Sequence, residues 1–213
     1  MRAVRIAEFG GPEVLVPAEV PDPVAGPGEV LVRIEAAGVN RADVLTRTGR
    51  YHRAGRPPLT PGLEAAGTVV AVGEGVSGLE AGQRVMAMGA VNEPGFYAEL
   101  AAVPAALTTV LPDGVGMAEA ASLPVAWLSA WLCLRRLARV TEGETVVVHA
   151  AASGVGSAAV QIAADAGARV IALASSAAKA AWAAETPSAA RSSRRACGRW
   201  GTPAGSWPSP TSR

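Results

Sequence analysis

The fold is decided by Thr145–Ala174, which reads TVVVHAAASGVGSAAVQIAADAGARVIALA. The β-branched run Val146–Val148 is typical of a strand buried on both faces, and Val170 and Ile171 begin a second buried strand. Gly167 stands where a glycine commonly ends a helix. Together these features predict a βαβ unit with its small residues in the first turn.

That turn carries Ser153, Gly154, Val155 and Gly156. In a βαβ unit, backbone N–H groups at this position meet the pyrophosphate of a dinucleotide at a helix N-terminus. The common G-x-G-x-x-G spacing is absent here, so a tight turn that needs small residues only for packing remains an alternative. The flanking strand and helix favour nucleotide binding.

Composition restricts the possible functions. The net charge is +1, so nothing points to nucleic acid or to an anionic membrane. Cys133 and Cys197 lie far apart and give neither a disulfide framework nor a metal-knuckle spacing. The N-terminus lacks an apolar core of signal-peptide length. We therefore expect a cytoplasmic protein.

The chain before this unit is rich in short strands separated by glycine and proline turns. A short helical segment is expected to start within Gly38–Asp43 and to run to about Arg47. A longer helical pattern, Gly116–Arg139, is interrupted at Pro124. The pattern up to the first helix is that of an all-β barrel of short strands. The predicted strands are Met1–Phe9, Val14–Val20, Glu29–Ala37, Thr68–Val72, Gln83–Met88 and Phe96–Val103.

Several motifs stand in register along the chain. They are GVNRAD (38–43), Tyr51, PGLEAAGTVVAVGEGV (61–76), ASLPVAWLSAW (121–131) and HAAASGVGSAAVQIA (149–163). Together they resemble the medium-chain dehydrogenase/reductase superfamily, and within it the zinc-independent NADPH:quinone oxidoreductases of the ζ-crystallin-like branch. The resemblance implies an α/β fold with a β-barrel: a GroES-like catalytic domain (1–122) and the first βαβ part of a Rossmann NADPH-binding domain (123–185). It also implies a homodimer.

The zinc alcohol dehydrogenases of this superfamily carry a cysteine and a G-H-E motif. Here the corresponding positions are near Asn40 and at Gly62-Leu63-Glu64, so neither a thiolate nor an imidazole is available. A catalytic zinc needs about three good ligands, and His52 and His149 lie in different segments. The sequence therefore predicts no metal and disfavours a zinc alcohol dehydrogenase.

Without a Lewis acid, alcohol oxidation is difficult, because nothing lowers the pKa of the alcohol. Hydride transfer from NADPH to a quinone or an activated enone needs only a dry slot and donors for the developing oxyanion. The resemblance puts Asn40 and Tyr51 at the substrate end of the nicotinamide pocket. Their structural alternatives are a helix N-cap for Asn40 and an aromatic loop anchor for Tyr51.

For the cofactor, the turn from Ser153 to Gly156 would hold the pyrophosphate. The resemblance places the hydroxyl of Ser129 at the nicotinamide amide, with helix packing as the alternative. No carboxylate follows the second strand, where an NAD enzyme binds the ribose 2′-hydroxyl. Ser176 and Lys179 would instead favour a 2′-phosphate, which predicts NADPH over NADH. Lys179 as a solvated helix residue is the alternative.

The sequence changes character after Glu185. Residues 186–213 contain no Val, Ile, Leu, Met, Phe or Tyr and no Asp or Glu. Such a segment cannot offset its ordering entropy by burial, so we expect a disordered tail. One hypothesis is a frameshift near 180–186, and a functional basic tail is the alternative. The coding DNA would test the frameshift, because the absence of a family-like continuation in the other frames would exclude it.

The leading interpretation is a zinc-free NADPH-dependent quinone reductase acting on a small molecule. An enoyl reductase of the same superfamily is the alternative enzyme. A non-catalytic truncated product is the alternative from another class, because the resemblance implies that the rest of the Rossmann sheet and the strand that builds the dimer are missing.

Overall fold

The computed structural model describes residues 1–52, 55–89 and 95–185. The chain divides into two compact units, Met1–Val125 and Ala126–Arg213. The expected disordered tail, 186–213, lies outside the described residues. The domain limits drawn from the sequence, 1–122 and 123–185, stay predictions.

The described part of the first unit is built from antiparallel strands with two short helices. The helices are α1 (Arg41–Arg47) and α2 (Met117–Ala120), and short 3₁₀ turns cover Pro12–Val14 and Ala105–Leu107. The strands are β1 (Arg2–Ile6), β2 (Leu15–Glu19), β3 (Glu29–Ala37), β4 (Glu64–Val72), β5 (Arg84–Met88), β6 (Leu100–Pro104) and β7 (Thr108–Val110).

The main sheet has the order β6-β3-β4-β5-β7, and β1 pairs with β2 in a separate ladder. Isolated bridges connect β1 to Ala98 and Leu59. Across the described residues the strands form open sheets and do not close on themselves. The predicted barrel is therefore corrected to an antiparallel sheet with β6 and β7 as its edges.

The strand β3 follows the period of two that its sequence predicts. Val30 and Val32 are buried, whereas Arg33 and Glu35 on the opposite side are exposed. The buried side meets valines of neighbouring strands and Phe96 in one apolar cluster. Branched aliphatic residues at alternating positions thus supply the core of the first unit.

The second unit contains a short parallel βαβ segment. Its elements are α3 (Ala126–Trp131), a π-helical stretch (Leu132–Leu137), β8 (Thr145–Val148), α4 (Gly154–Asp165), β9 (Arg169–Ala172) and α5 (Ala177–Glu185). β8 and β9 are parallel, with Val146 opposite Val170. The small-residue face of α4 is buried at Ala158, Ile162 and Ala163. Gly167 follows α4 with a φ of 77°, as predicted for a helix-ending glycine.

The expectation that β8 is buried on both faces is wrong. Val148 is buried and packs in the cluster that includes α4, but the side chain of Val147 is 51% exposed. Among the described residues β8 pairs only with β9, and α4 covers the face that carries Val148. A continuous valine run predicts that both faces of a strand are covered. In the described chain only one face of β8 is covered.

Within the described ranges, every helix falls short of the length and apolar character needed to cross a membrane.

Gly67 in β4 tests the packing of the main sheet. A Cβ atom built on this residue would collide with the backbone carbonyl of Arg33 on β3. We expect Gly67→Ala to lower the free energy of unfolding by about 3 kcal/mol, as overpacking does. Gly55→Ala is the control, because a Cβ there meets nothing within 4 Å. Urea unfolding of both variants measures the difference. Equal free energies of unfolding for the two variants would contradict this packing.

Candidate functional site

A buried carboxylate, Glu64, lies at the start of β4 and is 2% exposed. Its Oε1 accepts a hydrogen bond of 2.7 Å from the Asn40 side-chain amide, and its Oε2 accepts one of 2.7 Å from the backbone N–H of Val125. Gly38 leaves the space for this side chain, since a Cβ there would collide with Glu64 and with the Ala121 carbonyl. The carboxylate is therefore held between three chain segments.

A second buried carboxylate, Asp43, lies in the first turn of α1. It is 6% exposed, and its Oδ2 accepts hydrogen bonds from the Asn40 N–H (2.7 Å) and the Tyr97 hydroxyl (3.1 Å). Burial raises the pKa of the Asp43 carboxyl above its ordinary value, and the Asn40 and Tyr97 bonds offset this only in part. Burial, with the Asp43 charge next, also raises the pKa of Tyr97.

Asn40 links these two carboxylates. It is the N-cap of α1 and forms a capping box with Asp43. Its structural alternative, the N-cap, is thus present, together with a side-chain bond to Glu64 that the sequence did not indicate. The role of Asn40 toward a substrate stays a prediction.

Tyr51 follows α1 and is half-buried. Its backbone N–H donates to the Leu45 carbonyl at 3.1 Å, and its ring meets His52 edge-on with centroids 5.4 Å apart. Its expected role as an oxyanion donor likewise stays a prediction. The structure adds Tyr97 to the polar groups of this unit, a residue that no sequence motif singled out.

In the second unit, Ser153 is the N-cap of α4. Its Oγ accepts from the Gly156 N–H at 3.0 Å, and its carbonyl accepts from the Ser157 N–H at 2.8 Å. The N–H groups of Gly154 and Val155, in the same turn, have no intrahelical partner. This turn therefore presents open donors at a helix N-terminus, where anions bind.

The chain can make this turn because Gly156 has no side chain. A Cβ at Gly156 would collide with the carbonyl of Ala150, and Ala150 itself adopts a left-handed conformation with φ 51°. Alanine rarely adopts that conformation, so the turn is held by its surroundings. The small residues singled out in the sequence are thus needed for close backbone approach.

An open pocket of about 380 Å³ lies where β8 and β9 end. This is the edge at which parallel α/β sheets bind ligands, and the volume falls in the range of roughly 300–1,000 Å³ of small-molecule sites. Its lining residues are His149, Ala150, Ala152, Ser153, Leu173, Ala174, Ser175 and Lys179. The residues present fit a dinucleotide phosphate, because a cation and a helix N-cap meet at one pocket.

The pocket refines the predicted phosphate contacts. Lys179 lines it, and the Lys179 Nζ donates to the Ser175 Oγ at 3.4 Å. The Ser176 Oγ accepts from the Lys179 N–H at 3.3 Å, at the start of α5, and Ser176 is not among the lining residues. The sequence places His149 at the end of a strand near the nucleotide turn, and His149 lines the pocket there, whereas Ser175 was missed as a candidate. Ser175 could have been found by its place in the loop that follows β9.

Two further observations concern Ser129 and metal binding. Ser129 lies on α3 with an exposed side chain, and its predicted role at the nicotinamide stays a prediction. No group of three or more His, Cys, Asp and Glu side chains with the geometry to hold a metal ion occurs in the part of the chain that the structure describes.

Comparison with known proteins places these features in a family. Residues 26–113 match the alcohol dehydrogenase GroES-like domain. The chain is 42% identical to the quinone oxidoreductase of Lama guanicoe over 76% of its own length and 49% of that relative's. It is 41% identical to the human synaptic vesicle membrane protein VAT-1 homolog, over 76% and 41% of the two lengths.

Solved structures agree with the sequence relatives. A quinone oxidoreductase of Pseudomonas syringae superposes with a TM-score of 0.79 at 38% identity, over 85% of this chain and 55% of that one. A mycobacterial protein complexed with NADPH superposes with a TM-score of 0.81 at 40% identity, over 88% and 57%.

The chain belongs to the medium-chain dehydrogenase/reductase superfamily. Within it, the similarity is to the branch that contains the quinone oxidoreductases and the VAT-1 homologues. The chain spans about half the length of the curated relatives it matches.

The buried Asp43 predicts a pH dependence of stability. Because its folded-state pKa is raised, the folded protein holds this proton more tightly than the unfolded chain does, and stability is gained as the pH falls through that pKa. We expect Asp43→Asn to be more stable than the wild type at pH 7, since an amide oxygen accepts the same two bonds without a buried charge. This advantage shrinks as the pH approaches about 4, near the ordinary value.

Urea unfolding between pH 4 and 8 measures this difference. Asp113→Asn, which removes a carboxyl from the surface, is carried through the same series as the control. An Asp43→Asn variant that is less stable than the wild type at every pH, by a constant amount, would contradict the interpretation.

Proposed function

We propose that this chain binds NADPH through its second unit and uses it to reduce a quinone or a similarly activated enone without zinc. The observation that carries the proposal is the pocket at the ends of β8 and β9, where Lys179 and the N-terminal turn of α4 meet. The similarity to quinone oxidoreductases and to a protein complexed with NADPH supports it.

The pyrophosphate would bind at the turn that begins with Ser153. The open N–H groups of Gly154 and Val155 would donate to its oxygens, and the lack of a side chain on Gly156 keeps the backbone close. The positive end of the α4 dipole favours the phosphate charge. These residues would bind and orient the cofactor.

The preference for NADPH rests on the charge of the pocket. Among the described residues its lining contains Lys179 and no carboxylate. A 2′-phosphate would therefore gain an ion pair there, and a ribose 2′-hydroxyl would find no acidic partner in this lining. Ser175, which contacts the Lys179 Nζ, and Ser176, at the start of α5, would add hydroxyl donors. Ser129 would bind the nicotinamide amide.

NADPH, when bound, supplies a hydride. The carbonyl oxygen of a quinone or enone then gains negative charge, and donors that stabilise this charge accelerate the reaction. Asn40 and Tyr51 are the proposed donors. No Lewis acid is needed, because the acceptor is already electrophilic. Glu64, which stands where the zinc enzymes have their G-H-E motif, instead accepts hydrogen bonds on both oxygens from N–H groups of the protein.

The direct test is an assay of NADPH oxidation by the purified full chain, with 1,4-benzoquinone in one arm and an α,β-unsaturated ketone in the other. Oxidation that depends on the acceptor supports the proposal. NADPH binding without oxidation in either arm would support a nucleotide-binding protein without turnover, and neither binding nor oxidation would refute the proposal entirely.

Lys179 separates the two nicotinamide cofactors. We expect Lys179→Ala to raise the KM for NADPH about 10-fold and to leave the KM for NADH within twofold, because only NADPH carries the phosphate that the ammonium group contacts. The exposure of Lys179 keeps the effect moderate. Arg169→Ala, which removes a positive charge at the start of β9 and away from the pocket, is the control. Equal losses with both cofactors would contradict the phosphate role.

A further inference from the structure

We propose that Glu64 is a positioning residue that fixes the orientation of the Asn40 amide, and thereby the donor that Asn40 offers to the acceptor. This inference rests on the proposed function, in which Asn40 stabilises negative charge on the substrate. It concerns a residue that does not itself contact the substrate.

The orientation follows from hydrogen-bond chemistry. An ionised carboxylate only accepts, whereas an amide both donates through its nitrogen and accepts through its oxygen. At 2.7 Å from the Glu64 Oε1, the Asn40 atom must be the nitrogen, because an oxygen there would face another oxygen. Glu64 therefore determines which end of the Asn40 amide faces β4.

Val125 makes a carboxylate necessary at position 64. Its backbone N–H donates to the second oxygen of Glu64, also at 2.7 Å. The Asn40 amide and the Val125 N–H each need an acceptor atom on the same buried side chain. Glu has two acceptor oxygens, whereas Gln has only one. A glutamine at this position can satisfy Val125 with its oxygen, but its nitrogen then meets Asn40 and needs the Asn40 oxygen.

The rest of Asn40 is also held. Its backbone N–H donates to Asp43 at 2.7 Å, and the Tyr97 hydroxyl, from the segment that precedes β6, donates to the same Asp43 oxygen. One amide hydrogen of Asn40 is used by Glu64, so the second is the hydrogen available to a substrate. Turning the amide over would move that nitrogen by about the width of the amide group, and transition-state donors act only within narrow distances.

The test uses substitutions that change orientation, charge and donor separately. Glu64→Gln is expected to keep the fold at a lowered melting temperature, because a turned-over Asn40 restores the bond between the two side chains but gives up the capping-box bond from the Asp43 N–H. Asn40→Asp is expected to destabilise the protein, because it sets two carboxylates against each other in a buried site. The double variant N40D/E64Q is expected to recover the melting temperature, because the new amide donates to the new carboxylate and still accepts from Val125.

The activity of these variants separates positioning from folding. We expect Glu64→Gln to lower kcat about 10- to 100-fold with an unchanged KM for NADPH, and N40D/E64Q to be as inactive as Asn40→Ala although it is stable. Combining Glu64→Gln with Asn40→Ala should add no further loss, because Glu64 acts through Asn40. Glu35→Gln, an exposed carboxylate on β3 that accepts from Thr68, is the matched control.

A measurement independent of activity completes the test. In ¹⁵N-labelled protein, the side-chain amide signals of Asn40 should shift in Glu64→Gln and stay in place in Glu35→Gln. Asn40 signals that do not shift in Glu64→Gln would contradict the proposal that Glu64 orients the amide. Signals that shift while kcat is unchanged would contradict the proposal that this orientation matters for catalysis. Absence of any quinone-dependent turnover in the wild type would refute the proposed function and the positioning role, while the signals still report whether Glu64 orients the amide.

Discussion

The first unit depends on a buried carboxylate, Glu64, that has no cation within hydrogen-bond reach among the residues the structure describes. Glu64 obtains its two donors from Asn40 and from the backbone of Val125, and the absence of a side chain on Gly38 makes room for it. Burial of an unsatisfied charge is costly, so these contacts constrain three distant parts of the chain at once. The separate motifs GVN and GLE are thus two sides of one contact.

The second unit depends on a comparable constraint of the backbone. Ala150 takes a left-handed conformation and Gly156 packs against its carbonyl, so that the chain turns from β8 directly into α4. This geometry brings the N-terminal turn of the helix, with Ser153 as its cap, to the pocket that Lys179 reaches from α5. Close packing and one cation thus form the surface that is proposed to bind the cofactor phosphates.

Local features were predictable from the sequence because the interactions that form them are local. The strand Glu29–Ala37 and the break at Pro124 follow from alternation and from proline, and the helix after Asn40 follows from its cap. Contacts across the chain were not predictable. The bond from Tyr97 to Asp43 spans 54 residues, and no periodicity records it.

The predictions that β8 is buried on both faces and that the strands close into a barrel were wrong for a related reason. A valine run reports that a strand suits an apolar environment, but the number of neighbours depends on other strands and helices, and Val147 is half exposed here. The choice between Ser175 and Ser176 likewise depends on where α5 begins, which the sequence places only within a residue or two.

Binding of NADPH to the βαβ unit through its phosphates can be measured by a thermal melt of the full chain with saturating NADPH, with NADH and without ligand. Ligands that bind only the folded state raise its stability with the logarithm of their concentration. We expect a cooperative transition that NADPH shifts to a higher temperature than NADH does. A transition that neither cofactor moves would contradict this binding.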